Sequence, residues 1–448
     1  MAAEPCPENQ KRTETPMAWE FETDPDFAEQ LAWIDAFVRD EVEPLDLILQ
    51  SPFDVDNPLN RQFVRPLQEQ VKARGLWACH LGPELGGPGY GQVKLALMNE
   101  ILGRSVFAPT VFGCQAPDSG NAEILAVYGT AEQKARYLEP LLANEIVSCF
   151  SMTEPQGGAD PTTFTARAVL EGDRWVLNGE KWFATNARYA SFFLVMAVTD
   201  PDAPPHRRLS VFIIPRGTPG LEIVRNVGYG DRDPAHAYLR FNDVGVPLDH
   251  MLGGQGDGFV VAQVRLGGGR IHHAMRTIGK ARQAFDMLCD RALSRITRNE
   301  PLADKQLVQE KIADSWIELE QFRLLVLRTA WKIDREKDYN KVRGDISAVK
   351  AAMPKVLHDI AARAVYVHGC LGLSNETPLA AMVLDSFQVG LADGPTDIHK
   401  VTLAKQLLRG REHSQGLFPD YHIPARRAAA LAKYGLSGEE AGLKAAVA

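Results

Sequence analysis

The stretch Ala392-Asp393-Gly394-Pro395-Thr396-Asp397-Ile398-His399 places a lone carboxylate on a short Gly-Pro turn between two apolar helical segments. It is read with Met152-Thr153-Glu154-Pro155 far upstream, which closes the apolar run Ile146 to Met152 and leads into Gly157-Gly158. A base held on a sharp turn, and a small-residue corner able to lie against a planar ring, point to proton abstraction beside a flavin. Most Asp-Gly pairs only shape turns, so the reading depends on what surrounds the two segments.

Outward from the turn, the chain reads as helical from about Gly258 to Glu412, and Gln306 to Lys332 is nearly free of breakers and rich in Leu, Ile and Trp. That texture predicts a helical bundle. Upstream, from about Cys149, strand-like runs are punctuated by Pro and Gly: Phe164 to Leu170, Arg174 to Leu177, Phe192 to Thr199, Leu209 to Pro215, Leu221 to Val224 and Tyr238 to Phe241. Glu171-Gly172-Asp173 joins the first two, and Asn178-Gly179 carries the strongest short hairpin signal. The front is helical again. Asp24 is a plausible cap ahead of Phe27, Leu31, Ile34, Phe37, Val38 and Val42, and amphipathic stretches follow near residues 61–74 and 92–102. Residues 131–142 carry Gln133, Lys134, Arg136 and Glu139 on their polar side. The expected fold is therefore α+β: an N-terminal helical domain (20–147), a central β-barrel domain (148–256), a C-terminal four-helix bundle (257–413) and a tail (414–448).

The bulk numbers narrow the function. A net charge of −8 argues against a broad nucleic-acid footprint. No apolar run approaches the roughly 18 to 20 residues of a bilayer span, so no membrane insertion is expected. Glu4, Glu8 and Glu14 interrupt the start, unlike a signal or transit peptide. The six cysteines are scattered without a CxxC pair, which suits reduced thiols and a cytoplasmic location. No metal-ligand spacing, Rossmann fingerprint or GxSxG elbow is present.

Gly75-Leu76-Trp77 with Gly86-Gly87, the Thr153-Glu154-Pro155 corner, Asn178-Gly179-Glu180-Lys181-Trp182-Phe183, Phe241-Asn242-Asp243-Val244-Gly245-Val246-Pro247 and the Asp393-Gly394 turn occur in one order. In that order they resemble the acyl-CoA dehydrogenase family over roughly residues 20–413. Tyr128-Gly129-Thr130, Glu139-Pro140-Leu141-Leu142 and Gly268-Gly269-Arg270-Ile271-His272-His273 are similar to a subgroup whose longer members carry a kinase-like domain, for which 448 residues leave no room.

The resemblance implies FAD as cofactor, an acyl-CoA thioester as substrate, and a homodimer or homotetramer passing electrons to an electron-transfer flavoprotein. It implies Asp393 as the base, where many relatives have Glu. An ordinary Asp, with a pKa of about 3.9, is a weak base at neutral pH, so burial is expected to raise it. Gly269 fills the slot that holds an alternative base in some members. By the same resemblance Phe150, Met152 and Thr153 line the flavin, Gly158 and Ala159 allow close approach, and Phe183 and Thr185 sit against the ring. Ala159 stands in place of a common Ser. Arg295, Thr297 and Gln306 fall where a neighbouring subunit holds the pyrophosphate, although Arg298-Asn299 replaces the usual Phe-Gly. Gly369 suits a close helix-to-cofactor approach, and Thr396 supplies a hydroxyl that Pro395 cannot. Arg270 and Gly394 are assigned to substrate. Arg270, His272, His273 and Arg276 form a basic cluster, read either as recognition of a polar acyl group or as ion pairing inside the bundle. Oxidase chemistry with oxygen, flavin-assisted elimination from a 4-hydroxy- or 4-phosphoacyl-CoA, and a non-catalytic binding module remain open beside dehydrogenation.

Overall fold

A computed structural model describes residues 22–83, 86–229, 235–411, 416–419 and 421–443. The front layer holds helices α1 (Pro25–Phe37), α2 (Pro58–Ala73), α3 (Gly91–Leu102) and α4 (Asp118–Tyr128). Asp24 starts α1 by accepting the Phe27 N–H at 3.0 Å, with Pro25 preset for the first turn. Helix α3 is capped from a distance: the Asp334 carboxylate accepts the N–H groups of Gln92 (2.6 Å) and Val93 (3.0 Å). Gln133 departs from the sequence reading. It is buried, and its side-chain amide donates to the carbonyls of Asp249 (2.7 Å) and Met251 (2.9 Å).

Eight strands form the middle: β1 (Ser148–Ser151), β2 (Arg167–Glu171), β3 (Arg174–Thr185), β4 (Phe192–Val198), β5 (Leu209–Pro215), β6 (Leu221–Val227), β7 (His236–Pro247) and β8 (Met251–Leu252). Their order is β6-β7-β3-β2-β4-β5-β8, with β1 parallel to β4. Strands β3 and β5 stand three spacings apart, about 14 Å in a flat sheet. Yet the rings of Trp175 and Phe212 on those strands approach to 5.7 Å, so the sheet is rolled over a core of Phe193, Val195, Ile214, Leu239 and Phe241. The alternate β4 residues Phe192, Leu194 and Met196 face Ile124 and Leu125 of α4 instead. Burial on both faces explains why β4 is apolar throughout rather than alternating.

The Asn178-Gly179 hairpin is not there. The β2–β3 turn is Gly172-Asp173, while Asn178-Gly179 is a bulge inside β3, where the register against β7 shifts. The glycine serves packing: a Cβ at Gly179 would lie 2.6 Å from Ala166 Cα. Asn178 meanwhile accepts the Asp243 N–H across the bulge at 2.8 Å.

Helices α5 (Gly258–Ser294), α6 (Gln306–Glu336), α7 (Arg343–His368) and α8 (Leu379–Leu391) make the bundle. Ile271, Met275, Leu319, Phe322, Met353, Leu357, Leu379 and Met382 fill its core. A Cβ at Gly279 would sit 2.0 Å from the Glu100 carbonyl, and one at Gly103 2.0 Å from that of Arg276. Helices α3 and α5 therefore cross backbone to backbone, locking the front layer onto the bundle. A short turn leads from α8 into α9 (Thr396–Leu408). Residues from Ala404 onward belong to a second compact unit, which holds α10 (Ile423–Tyr434).

Candidate active site

The α8–α9 turn is built to present one carboxylate. Ala392 is extended, and Asp393 (φ 54°) and Gly394 (φ 105°) then take positive φ, which Asp tolerates better than most residues. Side chains from α5, α7 and α9 hold the turn by its backbone. Arg270 Nε donates to the Asp393 carbonyl (3.0 Å), His399 Nε2 lies 3.3 Å from the same oxygen, and buried Lys350 donates to the carbonyls of Val389 and Gly394. The Asp393 side chain, 15% exposed, has His273 Nε2 at 3.6 Å and Arg265 Nη1 at 4.0 Å. Its own N–H donates to no carbonyl among the described residues.

The electrostatics differ from the sequence argument. Burial pushes the Asp393 carboxyl up, but His273, Arg265, Arg270 and Lys350 together hold it below the usual carboxylate range. His273 is itself lowered to about 4 by burial, against the pull of Asp393, so at neutral pH the arginines and Lys350 supply the charge. The carboxylate is thus ionised by its surroundings, ready to accept a proton. Burial also drives His272 well below its ordinary value, and its ring faces the Gln92 amide oxygen at 3.3 Å. Arg276 donates to the Cys114 carbonyl at 3.0 Å. The expected basic cluster therefore consists of arginines with neutral histidines between them.

The second component is the corner after β1. Lys181, fully buried, donates to the Met152 carbonyl (2.9 Å) and to Glu154 (2.8 Å), and the Trp182 N–H donates to the Thr153 carbonyl (2.8 Å). Glu154 also accepts the N–H groups of Thr165 (2.7 Å) and Ala166 (3.1 Å). Pinned on both sides, the corner leaves the N–H groups of Met152 and Thr153 without an acceptor among the described residues. A Cβ at Gly158 would lie 2.9 Å from the Thr153 side chain, so a side chain there would have to displace Thr153, and Ala159 beside it is exposed. Rigid, unpaired donors beside an open surface are what the acceptor edge of a flavin requires; these residues fit FAD.

Across the β3 bulge Phe183 takes φ 51° and is 44% exposed. A bulky residue in that conformation is strained, and such strain clusters at functional sites. Its ring stacks at 6.2 Å on Tyr229. The Thr185 hydroxyl lies 3.0 Å from His236 Nδ1.

Arg265, which the sequence reading passed over, joins the two components. Its guanidinium lies 4.3 Å over the Phe150 ring, its Nε donates to Asn121 (2.8 Å), and it faces Asp393. The remaining assigned residues lie elsewhere. Arg295 ends the helix that carries Arg270, roughly 37 Å further along at 1.5 Å per residue. Thr297 follows in a small hairpin whose turn, Arg298-Asn299, has positive φ at both residues (52° and 63°), and Gln306 opens α6. One chain does not bring them to Asp393. Gly369 (φ 69°) separates α7 from a short helical turn, with open space where a side chain would be. The Thr396 hydroxyl donates to the Gly390 carbonyl (3.1 Å), which commits its proton. Gly394 is tight, since a Cβ there would meet His399 Nε2 at 2.9 Å.

Three family descriptions match in series: acyl-CoA dehydrogenase N-terminal domain (28–145), middle domain (149–244) and C-terminal domain (256–408). Mouse acyl-CoA dehydrogenase family member 10 is 38% identical over 85% of this chain, and the match covers 36% of that protein. Against that and other vertebrate relatives the chain spans between about a third and a half of their length. A solved Mycobacterium abscessus structure assigned to the acyl-CoA dehydrogenases superposes with a TM-score of 0.80 at 38% identity, covering 87% of this chain and 99% of that one. Butyryl-CoA dehydrogenase from Megasphaera elsdenii gives a TM-score of 0.74 at 26% identity, covering 87% and 100%. With its helix–sheet–helix order, its carboxylate turn and these matches, the chain belongs to the acyl-CoA dehydrogenase family.

Proposed function

We propose that the protein oxidises an acyl-CoA thioester to the trans-2-enoyl-CoA, with FAD as cofactor and an electron-transfer flavoprotein as electron acceptor. The observation that carries this reading is Asp393: a largely enclosed carboxylate, ionised by surrounding cations, with its own N–H unpaired beside it. The carboxylate takes the α-proton. The Asp393 N–H binds the thioester oxygen, where negative charge develops as that proton leaves. Arg270 fixes the angle of the turn through its carbonyl, and the Gly269 backbone leaves the carboxylate room against α5.

FAD, when bound, supplies the acceptor for the hydride leaving the β-carbon. Met152 and Thr153 would hold it through their backbone N–H groups, with Phe150, Phe183 and Thr185 against the ring. Thr185 is oriented by His236. Arg295, Thr297 and Gln306, remote within one chain, would reach a cofactor held by a second copy, which favours a homo-oligomer. Exposed Tyr366, Leu373, Phe387 and Leu391 on and beside α7 and α8 suit such a contact.

The test is anaerobic titration of the purified FAD-loaded protein with straight-chain and branched acyl-CoA esters, alongside Asp393→Asn. The wild type is expected to bleach its flavin band with at least one ester. The variant should keep FAD and reduce it roughly 10²- to 10⁴-fold more slowly. Undiminished bleaching by the variant would place the base elsewhere.

A further inference from the structure

Lys181 is a fully buried ammonium set against the corner that follows β1. Its partners are the Met152 carbonyl at 2.9 Å, the Glu154 carboxylate at 2.8 Å and the face of the Phe164 ring, 4.7 Å to the centroid. Taking such a charge out of water is costly, and apolar residues of similar volume often serve a protein interior as well as a buried ion pair. The pair therefore calls for a reason beyond packing.

Its two members are unequally placed. Besides Lys181, Glu154 accepts from the Thr165 N–H (2.7 Å), the Thr165 hydroxyl (3.1 Å), the Ala166 N–H (3.1 Å) and the Gln156 amide (2.6 Å). Its negative charge is spread over these donors. The ammonium has one anion and one peptide carbonyl. That carbonyl belongs to the Met152–Thr153 peptide, whose N–H, on Thr153, has no backbone acceptor among the described residues. The next peptide along is fully used: the Thr153 carbonyl accepts the Trp182 N–H at 2.8 Å, and the Glu154 N–H donates to the Gly157 carbonyl at 3.0 Å. Of the two peptides that β3 grips, only the one touched by the cation keeps a free donor. Connected hydrogen bonds polarise one another, so a cation on the carbonyl strengthens the N–H at the other end of the same amide.

We propose that Lys181 is a positioning residue that raises the reduction potential of the bound flavin, acting through the Met152–Thr153 peptide. This rests on the FAD reading above. In that reaction the hydride from the β-carbon carries two electrons to the flavin while the α-proton goes to Asp393, so reduction adds negative charge to the ring. An N–H polarised by an ammonium holds the charged, reduced form more tightly than the oxidised one, and the potential rises with the ratio of the two affinities. Glu154 keeps the ammonium in place and offsets part of its field.

The experiment measures the flavin midpoint potential of the FAD-loaded protein by anaerobic reductive titration against a reference dye, with no acyl-CoA present. In Lys181→Met the ratio of reduced to oxidised flavin affinity should fall by ~10-fold, the difference between a neutral and a charge-assisted hydrogen bond, which is about 30 mV for a two-electron couple. Glu154→Gln breaks the same pair but removes the negative member, and should raise the potential. A purely structural tether would shift both variants in one direction, because both loosen the corner. The double variant Lys181→Met/Glu154→Gln buries no unpaired charge; it should lower the potential too, and covers the case in which Lys181→Met fails to fold. A folded, flavin-bound Lys181→Met with the wild-type potential overturns this inference, as do single variants that shift together. Protein that takes up no FAD overturns the cofactor reading, and this inference with it. Protein that shows both shifts but is bleached by no acyl-CoA ester overturns the dehydrogenase reading alone.

Discussion

Replacing Arg265 with glutamine removes a buried positive charge 4.0 Å from the Asp393 carboxylate while leaving a side chain able to reach Asn121. At an effective dielectric of ~20, a unit charge at that separation is worth about 4 kcal/mol, equivalent to about three pH units of proton affinity. Arg270 and Lys350 remain, so the acid limb of the flavin-reduction rate should move up by roughly one to three pH units. The sign follows from the chemistry. The base must be ionised, and losing a cation makes its proton harder to remove, so activity disappears at a higher pH as the solution is acidified. Stopped-flow reduction between about pH 4 and 8 measures it, with FAD content and Tm recorded for each variant. Arg265→Lys restores the charge but not the guanidinium over Phe150, and should recover most of the shift. A glutamine variant that binds FAD normally yet superimposes on the wild-type pH profile would refute the reasoning.

Three further outcomes are expected. Lys181→Met leaves Glu154 buried with only neutral donors, which should cost about 3 kcal/mol, the lower end for a broken buried pair, measured by denaturant unfolding. Burial lowers Lys181 from 10.5 to about 8 against the pull of Glu154. Between those values the unfolded chain binds more protons at this residue, so the stability gap between wild type and Lys181→Met should widen as pH rises; a gap constant across that window would contradict the assignment. Gly279→Ala drives a methyl group into the Glu100 carbonyl at the α3–α5 crossing, and should lose stability at the upper end of roughly 1–3 kcal/mol; an unchanged melting temperature would mean the helices can separate freely.

Much of the architecture could be read from local pattern. The Gly-Pro turn after an apolar helix marked Asp393, and the Thr-Glu-Pro corner after an apolar run marked the end of β1. What escaped depends on contacts distant in sequence. Asn178-Gly179 looks like a hairpin turn, but it lies inside β3 as a bulge, with Ala166, the residue before β2, packed against the glycine. Lys181 reads as a polar residue on a strand until Glu154 meets it underneath. His272 and His273 count as basic in a sequence, whereas depth of burial decides that they are neutral. Arg265 had a signal that could have been used: the one charged residue in the mostly apolar stretch Phe259 to Leu266, just before three successive glycines.

Arg265 belongs to the bundle, rests on a ring from the sheet, and faces the carboxylate of the α8–α9 turn. A slip of the sheet against the bundle by a fraction of an ångström alters the field at Asp393 before any covalent change occurs. One side chain thus ties the packing of the sheet on the bundle to the field at the base.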